Sequence, residues 1–127
     1  MTRNALKIID QAMESIGLEY GLVRYNKKPV PDLYWVGEYQ ENAPTSESGH
    51  STSSFMLTGT TIGSWEELVK QKERIENYFN KVSGKTVMAE DGSAVAIFYS
   101  NSLIVPTMDA ELKRIQINLD IHEWSVK

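Results

Sequence analysis

The stretch LKRIQINLDIHEW, residues 112–124, decides the fold class of this chain. Its odd-numbered positions from Ile115 to Ile121 are aliphatic, and its even-numbered positions from Gln116 to His122 are polar. This period of two is typical of a β-strand with one buried and one solvated face. A strand of this length predicts a sheet that it closes, with its polar face available to water or to another protein chain.

Composition indicates one ordinary globular domain, residues 1–127. The 127 residues are 41% hydrophobic and 24% charged, which is close to the average for soluble proteins. No apolar run approaches the roughly 20 residues that a membrane-spanning helix needs. The N-terminal segment lacks the apolar block and cleavage site of a signal peptide. We therefore expect a cytosolic protein without membrane association.

Charge and cysteine content narrow the function classes. The chain has no cysteine, which excludes disulfides, thiolate metal sites and a cysteine nucleophile. Its formal net charge is -4, and no basic run is longer than the two residues of Lys27-Lys28. Because nucleic-acid binding depends on Lys and Arg that neutralise phosphates, this balance disfavours a primary role in DNA or RNA binding.

Two amphipathic helices are predicted. The first follows Thr2 as its N-cap and stops at Gly17, while the second begins with the capping box formed by Ser64 and Glu67 and ends before Gly84. Each has a stripe of residues at three- and four-residue spacing that faces the core. These stripes are Ala5, Ile8, Ile9, Ala12, Met13 and Ile16, and Trp65, Leu68, Val69, Lys72, Ile75, Glu76 and Phe79.

Six β-rich runs accompany the helices. Three precede the second helix, at residues 20–26, 32–41 and 55–61. Three follow it: the first two are joined by the turn dipeptide Asp91-Gly92, and the last is the strand quoted above. The order α, β, β, β, α, β, β, β predicts an α+β fold. We expect a mostly antiparallel sheet with both helices packed on one face.

The segment PTSESGHSTSS, residues 44–54, predicts a loop that is flexible in the free protein. Seven of its eleven residues are Ser or Thr, and none is large and apolar. Such a segment buries too little surface to offset its ordering entropy. We expect a long β-hairpin with a flexible tip that orders on assembly. The residues assigned to this assembly loop are Thr45, Ser46, Glu47, Ser48, Gly49, His50 and Ser51.

No catalytic or metal-binding motif stands out. Asp120 and His122 lie two apart on a strand and point the same way, so a carboxylate–imidazole pair that includes Glu123 is an enzyme hypothesis. A zinc site, however, needs three or four ligands, and no serine lies in a G-x-S-x-G motif. We therefore expect no catalytic residue, no metal and no cofactor.

The aromatic residues have two interpretations. Trp65, Phe79 and Phe98 are assigned to the core. Trp124 breaks the odd-numbered period of its strand: either a bulge near Glu123 turns it inward, or it lies exposed. An exposed tryptophan would favour a protein interface.

A second set of aromatic residues supports an alternative function. Tyr34, Trp35 and Tyr39 could contribute to a protein interface. Together with Tyr99 they could instead line a cup between helix and sheet that binds a small ligand. A sizeable apolar pocket with a few convergent polar groups would favour the second hypothesis.

Several stretches carry a resemblance to known proteins. The segments PDLYWVGEYQE, SWEEL and RIQINLDIHEW, together with the Ser-rich hairpin loop, resemble tail-terminator and head–tail joining proteins of long-tailed bacteriophages and prophages. The resemblance implies an α+β subunit that forms a hexameric ring on the tail tube, stops tube polymerisation and joins tail to head. It also implies that DNA passes nearby without specific binding, and that the family has no catalytic motif.

The leading hypothesis is therefore a non-enzymatic phage structural protein, most specifically a tail terminator. A minor capsid or neck protein, a ligand-binding module and an enzyme are the alternatives. By resemblance the partners are other copies, tail tube and neck proteins, first in the host cytoplasm and then in the virion tail or neck. We expect the sheet edge near residues 32–41 and 55–61 and the polar face of residues 112–124 to meet neighbouring subunits. The interface residues are Tyr34, Trp35, Tyr39, Gln116, Asn118, Asp120, His122 and Trp124.

Overall fold

The computed structural model describes residues 1–42, 50–80, 82–89 and 91–125. In these residues two helices and six strands follow the order α, β, β, β, α, β, β, β, which confirms the predicted succession. The elements are α1 (Arg3–Ile16), β1 (Tyr20–Leu22), β2 (Leu33–Glu41), β3 (His50–Thr61), α2 (Trp65–Tyr78), β4 (Lys85–Met88), β5 (Ala94–Ile104) and β6 (Lys113–Trp124).

All six strands belong to one mixed sheet with the order β1-β2-β3-β6-β5-β4. The pair β1–β2 is parallel and the other four pairs are antiparallel, which confirms the predicted α+β fold with a mostly antiparallel sheet. The last strand lies in the middle of the sheet, between β3 and β5, and so joins two halves instead of closing an edge. Its alternating pattern is equally compatible with this position, because alternation reports buried faces and not edges.

Both helices have the predicted caps. The Thr2 hydroxyl accepts a hydrogen bond from the backbone N–H of Ala5 at 3.2 Å, and the Ser64 hydroxyl accepts one from that of Glu67 at 3.2 Å. Gly17 ends α1 with φ at +78°, a left-handed conformation that glycine adopts without strain. Local sequence thus sets both helix starts.

The core lies between the two helices and one face of the sheet. The odd-numbered residues of β6 face the helices together with Phe55 and Leu57 of β3. From the helices the most buried side chains are Ala5, Ile9, Ala12, Met13, Leu68, Ile75 and Phe79.

Two predicted core aromatics do not lie in this core. Trp65 is 40% exposed, because it is the first residue of α2 and that turn extends past the packed part of the helix. Phe98 is half-buried on the other side of the sheet, where it pairs with Asp120, because β5 alternates between Val95 and Ile97 toward the helices and Phe98 away from them.

The second strand of the β2–β3 hairpin begins earlier in the sequence than predicted. β3 begins at His50, so residues 50–54 are paired strand and His50 and Ser51 do not belong to a flexible loop. Ser and Thr bury little apolar surface, so backbone pairing with β6 stabilises this part of the strand. His50 pairs with Trp124, and Ser51 pairs with Glu123. The predicted loop residues from Thr45 to Gly49 lie outside the described part of the chain.

Candidate functional site

The sheet has an open face, the side away from the two helices. Strand register determines which residues share it: Trp124 pairs with His50, Asn118 with Met56, and Thr58 with Val36. Since both helices contribute to the core on the opposite side, neither helix packs on this face. The open face consists of Tyr34, Val36, Glu38, Gln40, His50, Thr52, Ser54, Met56, Thr58, Thr60, Thr86, Met88, Ala94, Ala96, Phe98, Asn101, Leu103, Arg114, Gln116, Asn118, Asp120, His122 and Trp124.

One end of the open face holds an aromatic cluster of His50, Phe98, His122 and Trp124. The His50 Nε2 and His122 Nδ1 atoms are 3.0 Å apart, within hydrogen-bond distance. The ring of His50 stacks on the indole of Trp124 with centroids 5.0 Å apart, and Phe98 meets His122 edge-on at 5.5 Å. These contacts hold the exposed Trp124 ring in place on the sheet surface, as a preorganised contact residue requires.

The middle of the open face carries a row of amide side chains. The Asn118 amide donates to the Asn101 Oδ1 atom at 2.6 Å, and the Gln116 amide donates to the Asn118 Oδ1 atom at 2.8 Å. Beyond them the Arg114 Nε atom donates to the Thr60 hydroxyl at 3.2 Å. Amides and hydroxyls both donate and accept, so this row can bond to water in the free subunit and to a partner in a complex.

The structure brings together six of the eight predicted interface residues. Tyr34 lies on the open face with the even-numbered residues of β6. Its ring contacts that of Tyr25 at a tilt of 42°, with centroids 5.4 Å apart. β6 keeps its alternation through Glu123, without the bulge that would have turned the next side chain inward. Trp124 therefore lies on the open face and is 40% exposed. The six residues are Tyr34, Gln116, Asn118, Asp120, His122 and Trp124.

The other two predicted interface residues point to the helix side. Trp35 is fully buried in the core, where its Nε1 donates to the Gln71 Oε1 atom at 2.8 Å, so it cannot contact a partner. Tyr39 pairs with Phe55 on the helix side of the sheet and is 40% exposed near the strand end. His50, in contrast, joins the aromatic cluster although the sequence predicts a loop there. Its partner His122 is 72 residues away, so the local sequence carries no signal of the contact.

The enzyme hypothesis loses one of its three residues. Glu123 is buried on the helix side, where it accepts hydrogen bonds from the Thr2 backbone N–H at 3.1 Å and from the Thr2 hydroxyl at 2.5 Å. It therefore ties the start of α1 to β6 and cannot act beside His122, which faces the other way. Within residues 1–42, 50–80, 82–89 and 91–125, no group of three or more His, Asp and Glu side chains could hold a metal ion.

The ligand-cup hypothesis also fails on geometry. Tyr34 and Trp35 lie on opposite faces of the sheet, and the space beneath the helices is filled by Trp35, Phe55 and Phe79. A groove of about 810 Å³ near Thr2 and Trp124 contains none of the four proposed aromatic residues.

None of the helices in the described ranges has the length and apolarity to cross a membrane.

Comparisons with known proteins find a shared fold without a sequence match. No protein-family model and no curated protein matches the sequence. A chain from the solved structure named "Virion of native gene transfer agent (GTA) particle" superposes with a TM-score of 0.68 at 9% identity, covering 90% of this chain and 84% of that one. A second solved chain, whose name states no function, gives a TM-score of 0.67 at 14% identity, covering 100% and 99%. The protein shares its fold with both chains.

Proposed function

We propose that this protein is a non-enzymatic structural component of a phage or phage-like virion, most specifically a tail terminator. The observation that supports it most is the shared fold with a chain of a gene transfer agent virion over 90% of the present chain. The tail-terminator resemblance of the YWVGEY and INLDIHEW stretches, residues 34–39 and 117–124, points in the same direction.

The open face gives this proposal its physical basis. It is a large sheet surface that neither helix covers, with an exposed, fixed Trp124 at one end and an amide row at its centre. Interfaces of this kind combine an aromatic anchor with polar groups that stay hydrated before assembly. The subunit can therefore remain soluble alone and still bury this surface between neighbours.

Self-association completes the proposed mechanism. The copies form a closed ring, a hexamer by the resemblance, whose contacts are heterologous because each subunit meets its neighbours through two different surfaces. The ring sits on the tail tube, stops its growth and receives neck proteins, while DNA passes without specific binding. Residues 45–49 are the proposed assembly segment that contacts neighbouring subunits, since His50 and Ser51 are already paired strand. The protein resides in the host cytoplasm during assembly and then in the virion tail or neck.

Electron microscopy with purified tail tubes tests this function. We expect a ring at one end of each tube and no further tube growth when this protein is added to polymerising tube subunits. Trp124→Ala should reduce ring formation at least tenfold, because it removes the aromatic anchor of the open face. Met108→Ala is the matched control, since Met108 is fully exposed outside the sheet. A protein that stays monomeric at high concentration and never binds tubes contradicts the proposal.

A minor capsid or neck protein of the same assembly is the second candidate. The matching gene transfer agent chain is described only as part of a virion particle, which is compatible with either role. The two roles differ in the first partner that is bound. Stable binding to portal or capsid proteins without binding to tail tubes would assign the chain to the neck or capsid.

A further inference from the structure

Strand β5 is covered on its outer side along only part of its length. β4 pairs with Ala94–Ile97, whereas β5 continues to Ile104 with β6 on its inner side. No strand within the described residues pairs with the outer side of residues 100–104. This stretch, here called the β5 edge, presents outward-pointing backbone N–H and C=O groups that could continue a sheet.

The β5 edge lacks most devices that prevent strand pairing between proteins. No charged residue occurs from Ala94 to Val105, and the first proline is Pro106. Leu103 and Ile104 are 46% and 65% exposed. Natural edge strands are usually protected by lysine, proline or a covering element, and here one irregularity of pairing between Tyr99 and Asn101 is the exception. An edge of this kind fits an incoming strand.

A complementary edge lies at the diagonally opposite corner of the sheet. β1 pairs with Trp35–Gly37, so Glu38–Glu41 of β2 has a strand on its β3 side and none on its β1 side within the described residues. We call Glu38–Glu41 the β2 edge. The strands β2 and β5 run in opposite directions. β2 ends near Ile121 of β6, whereas β5 begins at that same end of the sheet.

The shapes of the two corners also match. At each corner a short strand, β1 or β4, makes a step beside the uncovered stretch. A second copy that is shifted along the strand direction can place its β2 edge beside the β5 edge of the first copy. The β4 strand of the first copy then lies beyond one end of this pair, and the β1 strand of the second copy lies beyond the other end. The resulting pair is antiparallel, like four of the five pairs within the sheet.

We propose that the β5 edge accepts the β2 edge of a second copy of this chain in antiparallel pairing. This inference rests on the proposed self-association and adds a backbone contact between copies to the proposed contacts of the open face. On the helix side, the exposed Tyr39 of one copy would pack near Ile104 of the other, because both residues lie on that face of their strands. The contact joins two different surfaces, as a closed ring requires.

Disulfide trapping tests the pairing directly, because the natural chain has no cysteine. Two single variants, Gln40→Cys and Leu103→Cys, are mixed under assembly conditions and oxidised. Both residues lie on the open face, and paired strands bring Cβ atoms within the roughly 4 Å that a disulfide spans. We expect a heterodimer that exceeds each homodimer at least fivefold, and a covalent ladder from the double variant.

Met88→Cys mixed with Gln40→Cys is the matched control. Met88 is 70% exposed on the same side of the sheet, but it lies in β4 and outside the β5 edge. We expect little heterodimer from this pair. A Met88 cross-link that equals or exceeds the Leu103 cross-link overturns the proposed pairing.

A charge at the β5 edge provides an independent measurement. Leu103→Lys should raise the protein concentration needed for ring assembly at least tenfold and leave the thermal midpoint of the monomer within a few degrees, while Met108→Lys should assemble normally. If rings form without the Leu103 cross-link and Leu103→Lys assembles like the natural protein, the edge pairing is wrong and the proposed function stands. If the natural protein forms no ring under any condition, both proposals fail together.

Discussion

The indole ring of Trp35 lies directly against the backbone of Gly59, its cross-strand partner. A Cβ atom at Gly59 would stand 2.7 Å from the Cη2 atom of Trp35 and 2.8 Å from its Cζ2 and Cζ3 atoms. The contact is between a fully buried ring and a strand that is paired on both sides, so neither partner can shift freely. The missing side chain at residue 59 thus creates the space that the largest core residue fills.

Replacement of this glycine should destabilise the protein. We expect Gly59→Ala to lower the free energy of unfolding by about 2 kcal/mol, because overpacking a dense core costs about 1–3 kcal/mol. Urea unfolding followed by tryptophan fluorescence measures the loss. Gly63→Ala is the control: its Cβ would meet only the Thr61 Oγ1 atom, at 3.2 Å, and its cost should stay below about 1 kcal/mol. Equal losses in the two variants would contradict the packing argument.

The two sheet tryptophans should differ sharply in their contribution to stability. Trp35→Ala removes a fully buried ring, for which we expect a loss of about 3–5 kcal/mol. Trp124→Ala removes a ring that is 40% exposed and stacked on His50, for which we expect less than about 1.5 kcal/mol. Chemical denaturation of both variants under one set of conditions makes the comparison. A loss for Trp124→Ala as large as that for Trp35→Ala would assign Trp124 to the core.

The two helix caps should also differ in strength. Thr2→Ala removes the cap of α1 and takes one hydrogen bond from the buried Glu123 carboxylate, so we expect a loss of about 2–3 kcal/mol. Ser64→Ala removes only the exposed cap of α2 and should cost about 1 kcal/mol. Thermal unfolding at neutral pH gives both values. Identical losses would mean that the bond from Thr2 to Glu123 adds no stability.

The Tyr20 phenol should make the protein sensitive to alkali. Burial, with a smaller effect from nearby Asp10, raises the pKa of Tyr20 well above its usual value. Between pH about 10 and the higher native pKa, the unfolded chain loses this proton while the native state keeps it, so stability falls as pH rises. Urea midpoints measured from pH 8 to pH 11 should fall less for Tyr20→Phe than for the natural protein. Equal slopes for Tyr20→Phe and the natural protein would contradict this role of Tyr20.

Features that depend on neighbouring residues were predicted correctly from sequence. The caps at Thr2 and Ser64 and the stop at Gly17 are set within a few residues, so the local sequence contains the whole signal. The polar face of β6 was likewise predicted, because strict alternation leaves one choice of buried face. Its use as an interface remains a prediction.

Features that depend on strand register could not be predicted. Both faces of β2 carry aromatic residues, so alternation did not decide that Trp35 faces the core and Tyr34 does not. The contact between His50 and His122 exists only because β3 pairs with β6 across the whole of β3. A Ser- and Thr-rich stretch that looks like a loop becomes strand when long, apolar partners lie beside it, since tertiary context overrides its weak intrinsic preference.

The central position of β6 has a consequence for synthesis of the protein on the ribosome. β6 lies between the β1-β2-β3 half and the β5-β4 half of the sheet and forms the hydrogen bonds that join each half to the other. It is also the last of the six described strands to be translated. Until Trp124 has left the exit tunnel, the nascent chain can form local ribbons and helices but cannot close its core. Such long sequence separation slows folding and leaves apolar strands exposed meanwhile. We therefore expect chains cut before Lys113 to aggregate instead of folding partially.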